Sequence, residues 1–180
     1  NDNLLIYYAG HGELDRANMR GHWLPIDAEK HSRANWISNI DITDILNEME
    51  ARHVLVVADS CFSGALTRGT SGAIQPGRTD EQNIARWKLL AEKRSRIALT
   101  SGDLQPVPDG GGGDRHSLFA KVLLDTLNGL SNVTEAQSLH RIVATQVHTA
   151  AARLRIEQRP LYAAIPHTGH EFGEFLFVPK

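Results

Sequence analysis

Leu4-Leu5-Ile6-Tyr7-Tyr8 is apolar or aromatic at every position and stops at Ala9-Gly10-His11-Gly12. A second run, His53-Val54-Leu55-Val56-Val57-Ala58, stops at Asp59-Ser60-Cys61-Phe62-Ser63-Gly64. A third, Ile97-Ala98-Leu99-Thr100, stops at Ser101-Gly102-Asp103. A strand with one wet face alternates apolar and polar residues, whereas an unbroken run belongs to a strand covered on both faces, as in a parallel sheet. Helical spacing fills the intervals. Ile42, Ile45, Leu46 and Met49 share one helix face, and Ile84, Trp87, Leu90 and Ala91 share another. Residues 117–127 predict a third helix with Leu118, Val122 and the Leu123-Leu124 pair inward, and 135–154 a longer fourth. Two short strands are expected at 161–165 and 174–178. This alternation predicts an α/β sheet with right-handed crossovers.

Three stretches break the pattern. Residues 12–38, holding Trp23-Leu24-Pro25-Ile26-Asp27, read as a loop or hairpin excursion. Residues 65–80 are rich in Gly, Ser, Thr and Arg and read as an exposed mobile loop, and 105–114 carry Pro106, Pro108 and four successive glycines. With 180 residues, 41% of them apolar, the chain can bury the core of one domain, taken here as 1–180. Nineteen basic against 21 acidic side chains, a net charge of −2, give no electrostatic case for nucleic acid or an anionic membrane. The longest aliphatic run, 54–58, falls far short of the roughly 20 residues that cross a bilayer. Cys61 is the single cysteine, so no intrachain disulfide framework exists, and a lone reactive thiol suits a reducing cytoplasm. No signal peptide or lipidation motif opens the chain. It begins at Asn1 rather than Met, so it is expected to be a piece or a processed product.

The chemistry-bearing residues lie at the ends of the first two runs. Ligands of an open parallel sheet gather beyond the carboxyl ends of its strands. If these two strands are neighbours, His11 and Cys61 face each other across that crevice. A thiolate is a nucleophile, and an adjacent imidazole serves as general base and then acid. Gly10 and Gly12 let backbone crowd the site, and the N–H groups of Gly12 and Cys61 are placed to hold an oxyanion. Taken alone, Cys61 reads as a small buried hydrophobe and His11 as a turn residue. Their joint placement favours the catalytic reading.

Tyr7-Tyr8-Ala9-Gly10-His11-Gly12 with Asp59-Ser60-Cys61-Phe62-Ser63-Gly64 resembles the caspase-like cysteine peptidases of family C14, in particular the prokaryotic caspase homologues, orthocaspases and metacaspases. Motifs of that family read Y-Y-A-G-H-G and D-S-C-H/F-S-G about fifty residues apart, and His11 and Cys61 stand 50 positions apart. Leu99-Thr100-Ser101-Gly102, His116-Ser117-Leu118-Phe119, Arg159-Pro160 and Glu174-Phe175-Leu176-Phe177-Val178 also resemble family blocks, so the likeness covers nearly the whole chain. It implies a caspase-like, mostly parallel sheet flanked by helices, and protein or peptide substrates. The family has two strand–helix units before the Tyr-Tyr-Ala-Gly-His-Gly strand. Their absence here implies an incomplete N-terminal part, an open sheet edge, and possession of those units by a separate fragment or an upstream stretch of the same protein.

In the family, the residue two before the nucleophile lines the pocket for the side chain preceding the scissile bond (P1). Caspases place an uncharged residue there; Asp59 resembles the acidic residue of metacaspases, which implies Arg or Lys at P1. Asp103 is a second candidate for this pocket and Asp109 a weaker one. The competing roles are a strand-end residue bonding local amides for Asp59 and a turn residue for Asp103. Cleavage after basic residues suggests self-processing at Arg68, Arg78 or Arg94, against which stand a solvated loop and cations at a helix C-terminus. His167, His170 and Glu171 form H-x-x-H-E, but Gly169 and the preceding Pro166 make this a loop, so no metal site is assigned. No cofactor is expected, and no calcium loop is recognisable although some metacaspases need calcium. Two rivals remain: a catalytically silent caspase-like interaction module, and the same peptidase with a different P1 preference.

Overall fold

The computed structural model describes residues 2–61, 63–66, 80–102 and 116–179. In chain order its first elements are β1 (Asn3–Ala9), β2 (His11–Asp15), β3 (Arg20–Leu24), β4 (Ile37–Ser38), α1 (Asn39–Glu48) and β5 (His53–Asp59). A short 3₁₀ helix, Ser63–Leu66, follows β5. Then come α2 (Asp80–Glu92), β6 (Ser95–Thr100), α3 (Leu118–Asn128), β7 (Thr134–Glu135), α4 (Ala136–Arg153), β8 (Leu161–Ala164) and β9 (Leu176–Phe177). The central sheet runs β1-β5-β6-β8, with β1, β5 and β6 parallel and β8 antiparallel to β6. Helices flank this mostly parallel sheet, the α/β arrangement expected from the three runs and the caspase-like architecture that the family resemblance implies.

The two faces of the sheet explain those runs. Leu55, Val57, Ile97 and Leu99 pack on Phe119, Leu123, Leu139, Val143 and Val147 from α3 and α4. Val54, Val56, Ala58 and Ala98 pack on the other face against Trp23, Ile42 and Leu46. β5 and β6 are therefore covered on both sides and carry no polar alternation.

β1 departs from this. Leu4, Ile6 and Tyr8 pack against the second core, but Leu5 and Tyr7 are 44% and 47% exposed. Among the described residues β1 is the edge of the sheet. Helices α3 and α4 cover its neighbours and leave a groove of about 420 Å³ between β1 and α3. Three inward assignments also shift: Ile45 and Ile84 are exposed, and Leu124 lines the β1–α3 groove beside buried Leu123.

The excursion at 12–38 is a small antiparallel sheet, β2-β3-β4. The two late strands do not pair with each other: β8 joins the central sheet and β9 pairs with β7, a strand the sequence pattern does not signal. Most of the Gly/Ser/Thr/Arg-rich stretch and the whole glycine-rich stretch lie outside the described residues. No helix among the described residues is long and apolar enough to cross a membrane.

Candidate active site

The register of the parallel pair brings the two motifs together. Ala9 pairs with Asp59, and the Gly10 N–H continues the ladder to the Asp59 carbonyl at 3.3 Å. His11 and Cys61 each lie two residues beyond that last pair. There β1 ends and the chain turns into β2, whose first residue, His11, pairs with Leu24 of β3. The His11 side chain is exposed, and Cys61, which is in no disulfide, is half-buried.

Two glycines set the spacing. A Cβ on Gly12 would lie 2.1 Å from the Cys61 carbonyl oxygen, so the residue after His11 must lack a side chain for β2 to lie against the Cys61 backbone. A Cβ on Gly10 would lie 2.7 Å from the Tyr8 hydroxyl oxygen. That phenol fixes the start of β2. It donates to the His11 carbonyl at 2.7 Å, accepts the Leu24 N–H at 3.1 Å, and its ring stacks on Trp23 at 4.3 Å. Tyr8 is a site residue that the sequence pattern reads only as core. The alternation of β1 points it away from Tyr7, toward the face where β3 lies.

Asp59 ends β5 on the α3 face. The Ser117 hydroxyl donates to its Oδ2 at 2.5 Å while accepting the Ala120 N–H at 2.9 Å as the N-cap of α3. The Tyr7 hydroxyl pairs with the same carboxylate; burial first, then the Asp59 charge and this hydrogen bond, raise the Tyr7 pKa above the usual phenol value. Asp59 thus has hydroxyl partners on two other elements, Ser117 before α3 and Tyr7 on β1. His116 stands exposed beside Ser117 at the rim of the β1–α3 groove. Ser117 carries a legible helix-capping signal. Its bond to a carboxylate 58 positions away has no local signature.

β6 ends level with β5: the Ser101 N–H bonds the Ala58 carbonyl at 3.0 Å, and the Gln158 amide holds the Ser101 carbonyl at 3.1 Å. Asp103, Asp109, Arg68 and Arg78 lie outside the described residues.

Arg94 is not displayed as a cleavage site. Its Nη2 donates to the carbonyls of Asn47 and Met49, its N–H to the Glu171 carboxylate, and its carbonyl accepts the Glu171 and Gly173 N–H groups. A protease needs an extended, accessible strand, and both sides of this residue are occupied by the fold. His170 and Glu171 are used in the same joint: His170 Nδ1 accepts the Arg96 N–H at 3.1 Å.

A caspase-domain family model of the C14 peptidases matches residues 1–168. No curated protein matches the chain. A family match over nearly the whole chain, on a mostly parallel sheet whose register brings the His11 and Cys61 motifs side by side, identifies the chain as a member of the caspase-domain family of cysteine peptidases, acting on protein or peptide substrates.

Proposed function

We propose that this caspase-domain chain is an endopeptidase of the orthocaspase and metacaspase type that uses a Cys61–His11 dyad and cleaves after Arg or Lys. The observation that supports it most is the β1–β5 register, which carries His11 and Cys61 equally far past paired strand ends with Gly12 against the Cys61 backbone. Cys61 Sγ attacks the peptide carbonyl carbon as His11 takes the thiol proton. The resulting oxyanion is held by the N–H groups of Gly12 and Cys61. His11 then protonates the leaving amine, the C–N bond breaks, and an acyl-enzyme remains. Water attacks this thioester with His11 as base, releasing the acid and restoring the thiol. Every step uses groups of this chain, so the proposed chemistry needs no cofactor. Asp59 accepts the P1 cation, with Asp103 as a second candidate.

Hydrolysis of matched fluorogenic peptides ending in Arg, Lys or Asp by the full-length protein, with and without calcium, tests this reading. We expect cleavage after Arg and Lys, abolished by Cys61→Ala and lowered about 10²- to 10⁴-fold by His11→Ala. Cleavage after Asp would overturn the role of Asp59. Cys61-independent cleavage, or none, would overturn the dyad.

A further inference from the structure

Two hydroxyls converge on the Asp59 carboxylate from different elements. Tyr7 belongs to β1, where it pairs in register with Val57, so its side chain shares the sheet face on which Asp59 lies. Ser117 stands immediately before α3 in extended backbone, φ −64° and ψ 160°, the conformation of an N-cap residue. The Ser117 hydroxyl has one proton and two lone pairs. With the Ala120 N–H on a lone pair, its proton is directed to Asp59 Oδ2 at 2.5 Å. Helix α3, anchored in the core through Leu118, Phe119 and Leu123, therefore sets where that proton points.

We infer that Ser117 and Tyr7 are positioning residues that hold the Asp59 carboxylate in one orientation for a basic P1 side chain, an inference that rests on the P1 reading proposed above. A carboxylate offers about four acceptor positions. Two hydroxyl donors from separate elements remove rotamers that binding would otherwise have to freeze. The raised Tyr7 pKa is consistent with a phenol kept protonated against this carboxylate. The β1–α3 groove reaches the same place, since Tyr7, Ala9 and His116 line it.

The competing role is purely structural, with Ser117 as a helix cap and Asp59 a second brace on α3. Steady-state kinetics of the full-length protein on Arg- and Lys-terminated peptides separates the two. Tyr7→Phe, which leaves the α3 cap intact, and Ser117→Ala, which removes it, are expected to raise KM about tenfold with kcat changing less than about threefold. Ser117→Thr keeps both hydroxyl functions and restores KM to within about twofold. A KM unchanged in Tyr7→Phe, or a Ser117→Ala defect that follows only its fall in Tm, overturns the inference and leaves the P1 reading standing. Asp59→Asn distinguishes the levels: intact Arg/Lys preference in that variant removes the P1 reading and the inference with it. Failure of the unmutated protein to cleave after Arg or Lys overturns both.

Discussion

Gly12 is the residue whose substitution reads most directly on the site. Its missing Cβ leaves room for the Cys61 carbonyl oxygen at 2.1 Å, and that oxygen belongs to backbone that a rotamer change cannot move. Gly12→Ala is therefore expected to push β2, and His11 with it, away from Cys61. A displacement of about 1 Å in a catalytic pair costs on the order of 10²-fold in rate, so kcat/KM on a basic peptide should drop by about that factor. Gly10→Ala meets instead the tip of the Tyr8 side chain and should cost less. Equal effects of the two substitutions would contradict this. The motifs that carry His11, Gly12 and Cys61 were legible in the sequence because each follows an apolar run. Tyr8 and Ser117 were not legible as site residues, because their partners at His11, Leu24 and Asp59 are set by how strands and helix pack.

At the scale of elements, the joint beneath the sheet is built around Arg96, one of the largest fully buried side chains. Its guanidinium donates to the carbonyls of Leu46, Met49, Arg52 and Ser95, two of which belong to the end of α1 and its cap. These are orphan carbonyls at the negative end of a helix, where a buried cation is favoured. Burial, and then the Arg94 charge, lower its pKa to about 10, which leaves it protonated at neutral pH. Arg96→Met would strand those carbonyls in the core, and we expect a loss of about 3–5 kcal/mol in urea unfolding. Lys cannot replace the planar fork and should recover little. A loss below about 1 kcal/mol in Arg96→Met would contradict the role of the joint. Pattern reading weighed Arg94 as a processing site against a cation at a helix C-terminus and gave Arg96 no role, because nothing local distinguishes an arginine at the start of a buried strand from one at the end of a helix.

At the scale of the whole molecule, the last segment of the chain closes the sheet around a buried acid. Glu174 accepts hydrogen bonds from the Tyr162 hydroxyl and the Phe175 N–H, and burial raises its pKa to about 7. An unfolded Glu titrates near 4.5, so the folded state binds the extra proton. The contribution is fully present below pH 4.5 and is lost as pH rises to about 7, in total about 3 kcal/mol. His53, His140 and His170, whose pKa values burial lowers, act the other way and cost stability as pH falls below 6.5. Comparison with Glu174→Gln isolates the acid: from pH 5 to pH 8 the unmutated protein should lose about 3 kcal/mol relative to the variant. A difference independent of pH would contradict this. The parallel strands of the sheet, and the two covered faces of β5 and β6, were legible from apolar runs, whereas the β1–β5 pairing stood only as a condition and the antiparallel pairing of β8 had no signal. The pairing of β9 with β7, far apart in sequence, was not legible either.

The central claim is that Cys61 is a nucleophile activated by His11. The most direct measurement is intact-mass and peptide-level analysis of the full-length protein after exposure to a thiol-reactive peptidyl ketone with Arg at P1. A single adduct on Cys61 is expected, forming on the order of 10²-fold more slowly in His11→Ala. No adduct on Cys61, or an adduct forming equally fast without His11, would contradict the dyad.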